Sequence, residues 1–581
     1  MLGVSCPTMK RRPSVFDRIA ALMAGNHARR VYEGFQAATR RATEVQERVL
    51  LAKIRRNADS DFGRKYHFDR IRSAADFARE LPILRYEDFR PYVERVKAGE
   101  RSALFGGRQR VHMFAMSSGT TEQPKYIPVT DAFLNEYRQG WNAFGIKALL
   151  DHPVAMLRGI VQVSSRMDEA RTQAGIPCGA ITGLMAATQK RLVRKYYITP
   201  RCLAEIDDAA AKHYTIMRLA VPADAAFVIT ASPATQLKLA RTADDCREQI
   251  IRDVHDGTLR ADLPVPSTVR EMLRPRLKTD VETARHLEAI VRQHGRLLPR
   301  HYWDLAFLAN WTGGTMGLYL QEFPEYFGDV PVRDVGLLAS EGRVSIPVDD
   351  GTPAGILEVT SNFFEFVPRD RMEETSPRAF RSHEVEVGQE YFVLLTTSSG
   401  LYRYDLGDLV RVVGFAGQAP IIEFLNKGAH ISSMAGEKLT EHQVILAMEK
   451  ATAALRLTIA SFVLAPRWAD PPYYLLHVEP FSHPTAVAGN AHPTGHSAGV
   501  APAEWLDRLA SMLDEQLHAV NVEYAGKRQS ARLAPVRGHL LRPGVLAELD
   551  RSEADRYRKG NEQHKHRYLY VRPGEDAAFS G

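Results

Sequence analysis

Cysteine is scarce in this chain. Its 581 residues include 4, at Cys6, Cys178, Cys202 and Cys246. No two form a Cys-x-x-Cys pair, which argues against both a disulfide framework and a structural zinc site. No base stands near any of them in sequence to make one a nucleophile. Long apolar runs are missing too, and none approaches the ~20 residues of a membrane-crossing helix. Met1 to Ser14 carries Lys10-Arg11-Arg12 but no apolar core behind it, so it does not read as a secretory signal, and a cytoplasmic location is expected. Charge of one sign does not dominate. Lys and Arg number 76 against 69 Asp and Glu, a net +7 that suits small anionic substrates. No nucleic-acid module is recognisable, so neither nucleic acid nor membrane is an expected partner. A Walker phosphate loop is also absent, because no glycine precedes a Lys-Ser or Lys-Thr pair at the required spacing. His483, His492 and His496 fall in the Pro-, Gly- and Ala-rich stretch Ser482–Val500, which reads as a mobile loop that would not fix metal geometry.

What is present is ordinary globular material, with 45% hydrophobic and 25% charged residues, and too long for one core. The first ~75 residues read as helices. Phe16, Ile19, Ala20 and Met23 share one face, Val45, Val49 and Ala52 another, and Asn57 is a stop. Phe227–Thr230 reads as a buried strand, Ser232-Pro233 as a turn, and a helix begins near Ala234, an order that suits α/β structure. From Gly388 to Phe415 the period changes to strands at Tyr391–Thr397, Leu401–Tyr404 and Leu409–Val413, which predicts a small antiparallel sheet. A second domain is expected after Glu423. Thr440 and Gln443 form a capping-box pattern ahead of the helical run Val444–Leu455. Strands at Leu457–Leu464, Tyr473–Val478 and Val536–Leu541, with a helix at Pro502–Val520, complete an α+β unit.

The stretch Met116 to Pro128, MSSGTTEQPKYIP, gathers backbone N–H groups, hydroxyls and an ammonium where they would converge on one anion. It follows the apolar run Val111–Met116, the end of a strand being a common ligand position in α/β sheets. The same composition also suits a polar surface turn. Three later stretches bear on that choice. Leu337-Leu338-Ala339-Ser340-Glu341-Gly342 ends an apolar strand in a carboxylate, which would face either a metal ion or solvent. Tyr402-Arg403-Tyr404-Asp405-Leu406-Gly407-Asp408 places Asp408 after a glycine in a turn, where it would either accept from both ribose hydroxyls or close its own loop. Asp405 would do only the latter. Lys427, in Glu423–Gly428 at the expected domain boundary, is either a hinge cation or a solvated linker lysine.

In order and spacing, these stretches resemble the adenylate-forming superfamily and, within it, the auxin-responsive Gretchen Hagen family of acyl-acid amido synthetases, in a bacterial-type form. That family carries a Ser-Ser-Gly-Thr-Ser/Thr loop ending in Pro-Lys-x-Ile-Pro, a Tyr-Ala-Ser-Ser-Glu strand, a Tyr-Arg-Tyr-x-x-Gly-Asp turn and a Lys-Thr-x-Glu hinge. The counterparts here are Ser117–Pro128, Leu337–Glu341, Tyr402–Asp408 and Lys438–Glu441. Tyr86-Glu87-Asp88 and Trp311-Thr312-Gly313-Gly314 extend the likeness, which spans most of Arg70–Glu441, with a fainter trace at Gln563-His564-Lys565. Two positions depart from it. Leu337 replaces an aromatic, so adenine would be held by apolar contact, and Leu439 replaces the hinge threonine.

The resemblance implies an α/β fold with a large multi-sheet adenylate-forming domain, residues 1–423, behind a helical N-terminal region, and a small mobile α+β domain, residues 424–581. It implies ATP and Mg2+, and a two-step reaction that adenylates a small carboxylic acid and passes the acyl group to an amino acid or other amine. Ser117, Ser118, Gly119, Thr120, Thr121, Lys125, Tyr404 and Asp408 would bind ATP, Asp408 at the ribose, and Glu341 would hold magnesium. Thr312, Gly313, Gly314 and Ser340 would flank the acyl-adenylate, and Lys427 and Lys565 would be catalytic. The acid itself is expected near Gly175–Gly183 and Phe227–Ser232. An acyl-CoA ligase using the same first step, or a non-catalytic nucleotide-binding relative, are the alternatives.

Overall fold

The computed structural model describes residues 15–107, 109–117, 125–155, 157–189, 191–313, 316–372, 374–428, 431–432, 434–435, 437, 439–480, 502–529, 533–557 and 566–579. Two compact units divide between Phe424 and Leu425. The stretch Ser482–Val500 lies outside the described residues.

Helices open the first unit. Val15–Thr39 is followed by Ala42–Arg56, which ends at Asn57. Ala42, Val45, Gln46, Leu50, Lys53 and Ile54 of the second helix are buried, whereas Val49 and Ala52 are only half-buried, so the inward stripe is rotated from the expected one. Asn57 stops the helix and also tethers two distant segments. Its Nδ2 donates to the Tyr402 hydroxyl at 2.6 Å and its Oδ1 accepts from the Gly106 N–H at 3.0 Å.

Three larger sheets follow. A four-stranded sheet has the order Lys125–Thr130, Val111–Ser117, Pro177–Gly179, Ala170–Arg171. A parallel sheet has the order Gly159–Gln162, Ala225–Ile229, Phe307–Asn310, Val332–Asp334. The helix Pro233–Asp245 leaves this second sheet as the Ser232-Pro233 pair predicts, the Ser232 hydroxyl accepting from the Ala234 N–H at 3.2 Å. The third sheet has seven strands, in the order Ser345–Pro347, Gly355–Leu357, Ala419–Lys427, Tyr404–Ala416, Glu390–Thr396, Phe363–Pro368, Phe380–Arg381.

This third sheet corrects four expectations. The sheet is not small, because pairing partners arrive from far along the chain. Leu401–Tyr404 is not a strand of its own: one continuous strand runs Tyr404–Ala416. Asp408 therefore sits inside a strand, not in a turn. Asp405 faces Leu394 and Leu409 faces Phe392, so Leu406, Gly407 and Asp408 together oppose Val393 as a bulge. Gly407 supplies the positive φ of 72° that the bulge needs. Glu423–Lys427, expected as a linker, closes the nine-residue strand Ala419–Lys427.

Among the described residues, two large apolar cores fill the unit. One, around Phe62, Phe89, Tyr402 and Tyr404, packs on the hairpin-bearing sheet and the seven-stranded sheet. The other, around Tyr214, Leu237, Leu287 and Leu308, packs helices on the parallel sheet.

In the second unit, Ser461–Arg467 pairs antiparallel with Tyr473–Glu479, and Arg537–Leu540 adds to the latter in parallel. The helix Glu441–Leu455 begins at a complete Thr440/Gln443 capping box, and Pro502–Val520 is a helix as expected. Strand formation starts at Ser461 and not at Leu457, because Leu457 is taken up by the helix end, its N–H bonding to the Thr452 carbonyl.

Candidate active site

The hairpin Val111–Ser117/Lys125–Thr130 is antiparallel, and its last pair is Ser117 opposite Lys125. Ser118, Gly119, Thr120 and Thr121 lie outside the described residues, as do Gly314 and Lys565, and so do the side chains of Ser117 and Lys427. The hairpin's other flank is well defined. Lys125 Nζ donates to the Tyr404 hydroxyl at 3.0 Å, and that hydroxyl donates to Glu341 Oε1 at 3.3 Å.

Three elements thus deliver one side chain each to a single line. Lys125 comes from the hairpin, Tyr404 from the first position of the long strand, and Glu341 from a tight turn. Glu341 is not at a strand end, because Ser340 and Glu341 form the two-residue tip between Leu338–Ala339 and Gly342–Arg343. Glu341 and Tyr404 are both buried. Burial, and then the charge of Glu341, push the Tyr404 phenol far above its usual value, so the hydroxyl keeps its proton and points it at the carboxylate.

Several contacts fix Tyr404 in place. The segment before Tyr86-Glu87-Asp88 runs alongside it, with the Leu84 N–H donating to the Arg403 carbonyl at 3.0 Å and the Asp405 N–H to the Leu84 carbonyl at 2.8 Å. Arg403, in the left-handed region at φ 44°, buries its guanidinium against Glu365 at 3.0 Å and donates to the Leu81 carbonyl at 2.6 Å. Removing either partner would leave a buried charge unpaired, at a cost of roughly 3–5 kcal/mol. Tyr402 stacks on Phe62 with centroids 5.4 Å apart. Asp405 closes its own bulge, accepting from the Gly407 N–H at 2.9 Å. Asp408, three residues on, is buried.

The remaining candidates gather at the carboxyl ends of the parallel strands. Thr312 and Gly313 follow Phe307–Asn310, and the Leu337–Glu341 stretch follows Val332–Asp334. Asp334 joins the two. It accepts from the Thr312 N–H at 2.6 Å, the Thr312 hydroxyl at 2.8 Å and the Gly336 N–H at 2.6 Å, while Trp311 Nε1 donates to the Gly336 carbonyl at 3.0 Å. Burial raises the Asp334 pKa, and the Thr312 and Gly336 donors act against that rise. Gly313 lies close under Pro353, since an added Cβ would come within 3.0 Å of the proline Cβ. Behind the Glu341 hairpin, Arg343 is fully buried between Trp141 and Phe144, 4.8 and 5.3 Å from their centroids, and it bonds the Val335 and Ser345 carbonyls. Burial lowers its pKa to about 10, which leaves it cationic at neutral pH.

Sequence reasoning missed Asp334 and Arg343. The weak signal for Asp334 was an acid closing a short strand two residues before a glycine. In the region expected for the acid, Phe227 belongs to the core and stacks on Phe307 at 4.5 Å. Gly179 and Gly183 lie so close to the Ser165–Met167 backbone that a Cβ on either would sit 2.5 Å from a carbonyl oxygen. Among the described residues, no three His, Cys, Asp or Glu side chains cluster as a metal cage. Magnesium at nucleotide sites takes one or two carboxylates together with substrate phosphates, and a single buried Glu341 suits that chemistry.

Comparison with known proteins decides the family. Residues 31–332 match the GH3 family N-terminal domain, 355–427 its central domain and 442–572 its C-terminal domain. The chain belongs to the GH3 family. Similar members include a jasmonoyl–L-amino acid synthetase of Nicotiana attenuata, JAR4, 24% identical over 89% of this chain and 90% of the relative. An indole-3-acetic acid-amido synthetase of Oryza sativa subsp. indica, GH3.8, is 26% identical over 87% and 84%. These relatives are plant proteins and lend no support to the expected bacterial-type form. Among solved structures, an acyl acid amido synthetase, AtGH3.15, in complex with 2,4-DB superposes with a TM-score of 0.80 at 19% identity, covering 96% of each chain. That likeness establishes the GH3 fold for this chain.

Proposed function

We propose that the Lys125–Tyr404–Glu341 line and the Asp334-braced loops form the adenylation centre of this GH3 protein. The chain is a ligase that forms an amide bond through an acyl-adenylate, using ATP. In the first step a carboxylate oxygen of a small acid attacks the α-phosphorus of ATP, an acyl–phosphate bond forms, and pyrophosphate leaves. In the second, an amine attacks the acyl carbon, the amide forms, and AMP leaves with the bonding electrons.

Several features support the assignment of roles. Ser117 to Thr121 and Lys125 flank or form the hairpin loop and would bind the phosphates. Lys125 is held by Tyr404 beside the end of that loop. Tyr404 keeps Glu341 oriented through its hydroxyl proton, and Glu341 would hold magnesium, which offsets phosphate charge when bound. Asp408, presented by the bulge, would accept from the ribose hydroxyls. Thr312, Gly313, Gly314 and Ser340 would line the acyl-adenylate, and Lys427 and Lys565 would meet developing negative charge in the two steps. Jasmonate-like and indole-acetic-acid-like acids are the substrate classes suggested by the relatives, with an amino acid as the amine. The boundary between 1–423 and 424–581 is read as separating the adenylation domain from a mobile partner domain. No helix among the described residues is long and apolar enough to cross a membrane, and the cytoplasm is the proposed location.

The convergence of three separate elements on Glu341 carries this reading. Acid-dependent ATP–pyrophosphate exchange, with a panel of aryl and oxylipin-type acids, tests it. We expect exchange with at least one acid, and Glu341→Gln or Asp408→Asn should each lower it about 100-fold, the scale of one lost transition-state contact. Mass spectrometry of the second step should show an amide with an amino acid. A CoA thioester without any amide, or exchange untouched by both substitutions, overturns the reading.

A further inference from the structure

The strand Gly159–Gln162 is the edge of the parallel sheet, and its carboxyl end opens into a cleft of about 110 Å³, room for several water-sized groups. Gln162, Ser164 and Tyr197 line it together with Arg194, Arg201 and Arg276. The frame is fixed by backbone contacts. Ile160 bonds Tyr196 and Ile198 on both sides, at 2.8 and 2.9 Å, which adds that segment to the sheet edge. The Thr199 hydroxyl accepts from the Gln162 N–H at 3.1 Å and donates to its carbonyl at 2.7 Å. Arg276 donates to the Ile198 carbonyl at 3.0 Å and Arg194 to that of Gln189 at 3.2 Å, so two of the guanidiniums are anchored from behind.

Among the described residues, no carboxylate lines the cleft. The nearby Glu205 and Asp207 are engaged by Arg166, at 3.3 and 2.9 Å. Among the described residues, Arg194, Arg201 and Arg276 make no ion pair. Arg194, Arg201 and Arg276 are exposed, so water screens their mutual repulsion only in part, and an anion between them would relieve the rest; guanidiniums with amide, hydroxyl and phenol donors beside them match the oxygens of a phosphate or carboxylate. The cleft also lies where open α/β sheets bind ligands, outside the carboxyl ends of the strands. Two strand spacings, roughly 10 Å, separate the Gln162 end from the strand that leads to Thr312. The hairpin whose loop is assigned to ATP belongs to the other four-stranded sheet, and none of its residues lines the cleft.

We propose that this cleft is a second anion site, which binds a small molecule through a phosphate or carboxylate group. Isothermal titration of the full chain at low ionic strength, with inorganic phosphate in one series and aspartate in another, tests it against Arg201→Gln/Arg276→Gln and against Lys125→Gln in the ATP loop. We expect the double arginine variant to weaken binding at least tenfold and Lys125→Gln to leave it unchanged, with ATP–pyrophosphate exchange in the double variant within twofold of the parent. Arginine-dependent binding of phosphate alone identifies a phosphate-bearing ligand, and of aspartate alone a carboxylate-bearing one. Loss on Lys125→Gln but not in the arginine variant, or no binding of either anion, overturns the proposal. Arg201→Gln alone, which breaks none of these tethers, guards against a folding defect when read with a melting curve.

Discussion

Asp334 is the residue on which two loops of the centre depend. Each of its oxygens faces hydrogen-bond donors, Oδ2 the Thr312 N–H and hydroxyl and Oδ1 the Gly336 N–H. Asn in its place would keep the shape but turn an NH2 toward one of these donors, with a loss of about 1.5–3 kcal/mol per charge-assisted bond. We predict that Asp334→Asn raises KM for the acid and ATP at least tenfold with a smaller change in kcat, and lowers Tm. A lower Tm with KM unchanged would show that Asp334 only stabilises the fold. In the sequence this role is hidden, because Thr312 is 22 positions upstream and a terminal strand acid reads as solvated. Glu341 and Asp408 were legible as acids beside glycines. That both are buried, and that Tyr404 rather than solvent meets Glu341, follows from long-range pairing which no local pattern encodes.

At the scale of elements, what the sequence discloses is what local chemistry decides. Asn57 ends a helix, Ser232-Pro233 starts one, and Thr440 with Gln443 starts another, each through bonds made within a few residues. The seven-stranded sheet was not legible, since Gly355–Leu357, itself paired with Ser345–Pro347, reaches Ala419–Lys427 across more than sixty positions, and the Asp408 bulge arises from the register in which Tyr404–Ala416 pairs with Glu390–Thr396. The Thr440 cap makes a prediction of its own. Its hydroxyl accepts from the Gln443 N–H at 3.2 Å, Gln443 Oε1 accepts back from the Thr440 N–H at 3.1 Å, and Asn521 Nδ2 also donates to that oxygen at 2.9 Å. The cap thus ties the start of Glu441–Leu455 to the residue following Pro502–Val520. Thr440→Ala should destabilise the second unit by about 1 kcal/mol, typical of a lost N-cap, with faster amide exchange in the first turn. Thr440→Ser should restore protection; if it fails to do so, the hydroxyl is not the cause.

For the molecule as a whole, the two units should respond to pH separately, because two buried histidines of opposite character lie in the second. His566 belongs to a trio that looks hydrolytic, with Ser461 Oγ 3.1 Å from its Nε2 and Asp550 Oδ2 2.9 Å from its Nδ1. Its Nε2 also faces the Phe462 carbonyl at 3.0 Å. A carbonyl only accepts, so Nε2 carries a proton and cannot take one from Ser461. Burial opposes the charge of this ring, but Asp550, the Phe462 carbonyl and Glu441 outweigh it and raise the pKa above 6.5. His477 is the reverse case. Burial holds it below 6.5 against the pull of Asp576, which its Nε2 meets at 2.7 Å. A raised folded-state pKa contributes stability that is complete below the unfolded value and lost as pH rises through the folded one, whereas a lowered base contributes above the unfolded value and loses it as pH falls. The second unit should therefore be most stable near the ordinary histidine value and weaken on both sides. The Leu464 N–H, bonded to the Tyr568 carbonyl at 2.8 Å, reports on this unit. Its hydrogen exchange, corrected for the intrinsic pH dependence, should show protection falling toward both pH 5 and pH 9. His566→Gln should flatten only the alkaline limb and His477→Gln only the acidic one. If either substitution flattens the opposite limb, the sign given to that histidine is wrong, and if neither changes the profile, the pH response of this unit lies with other groups.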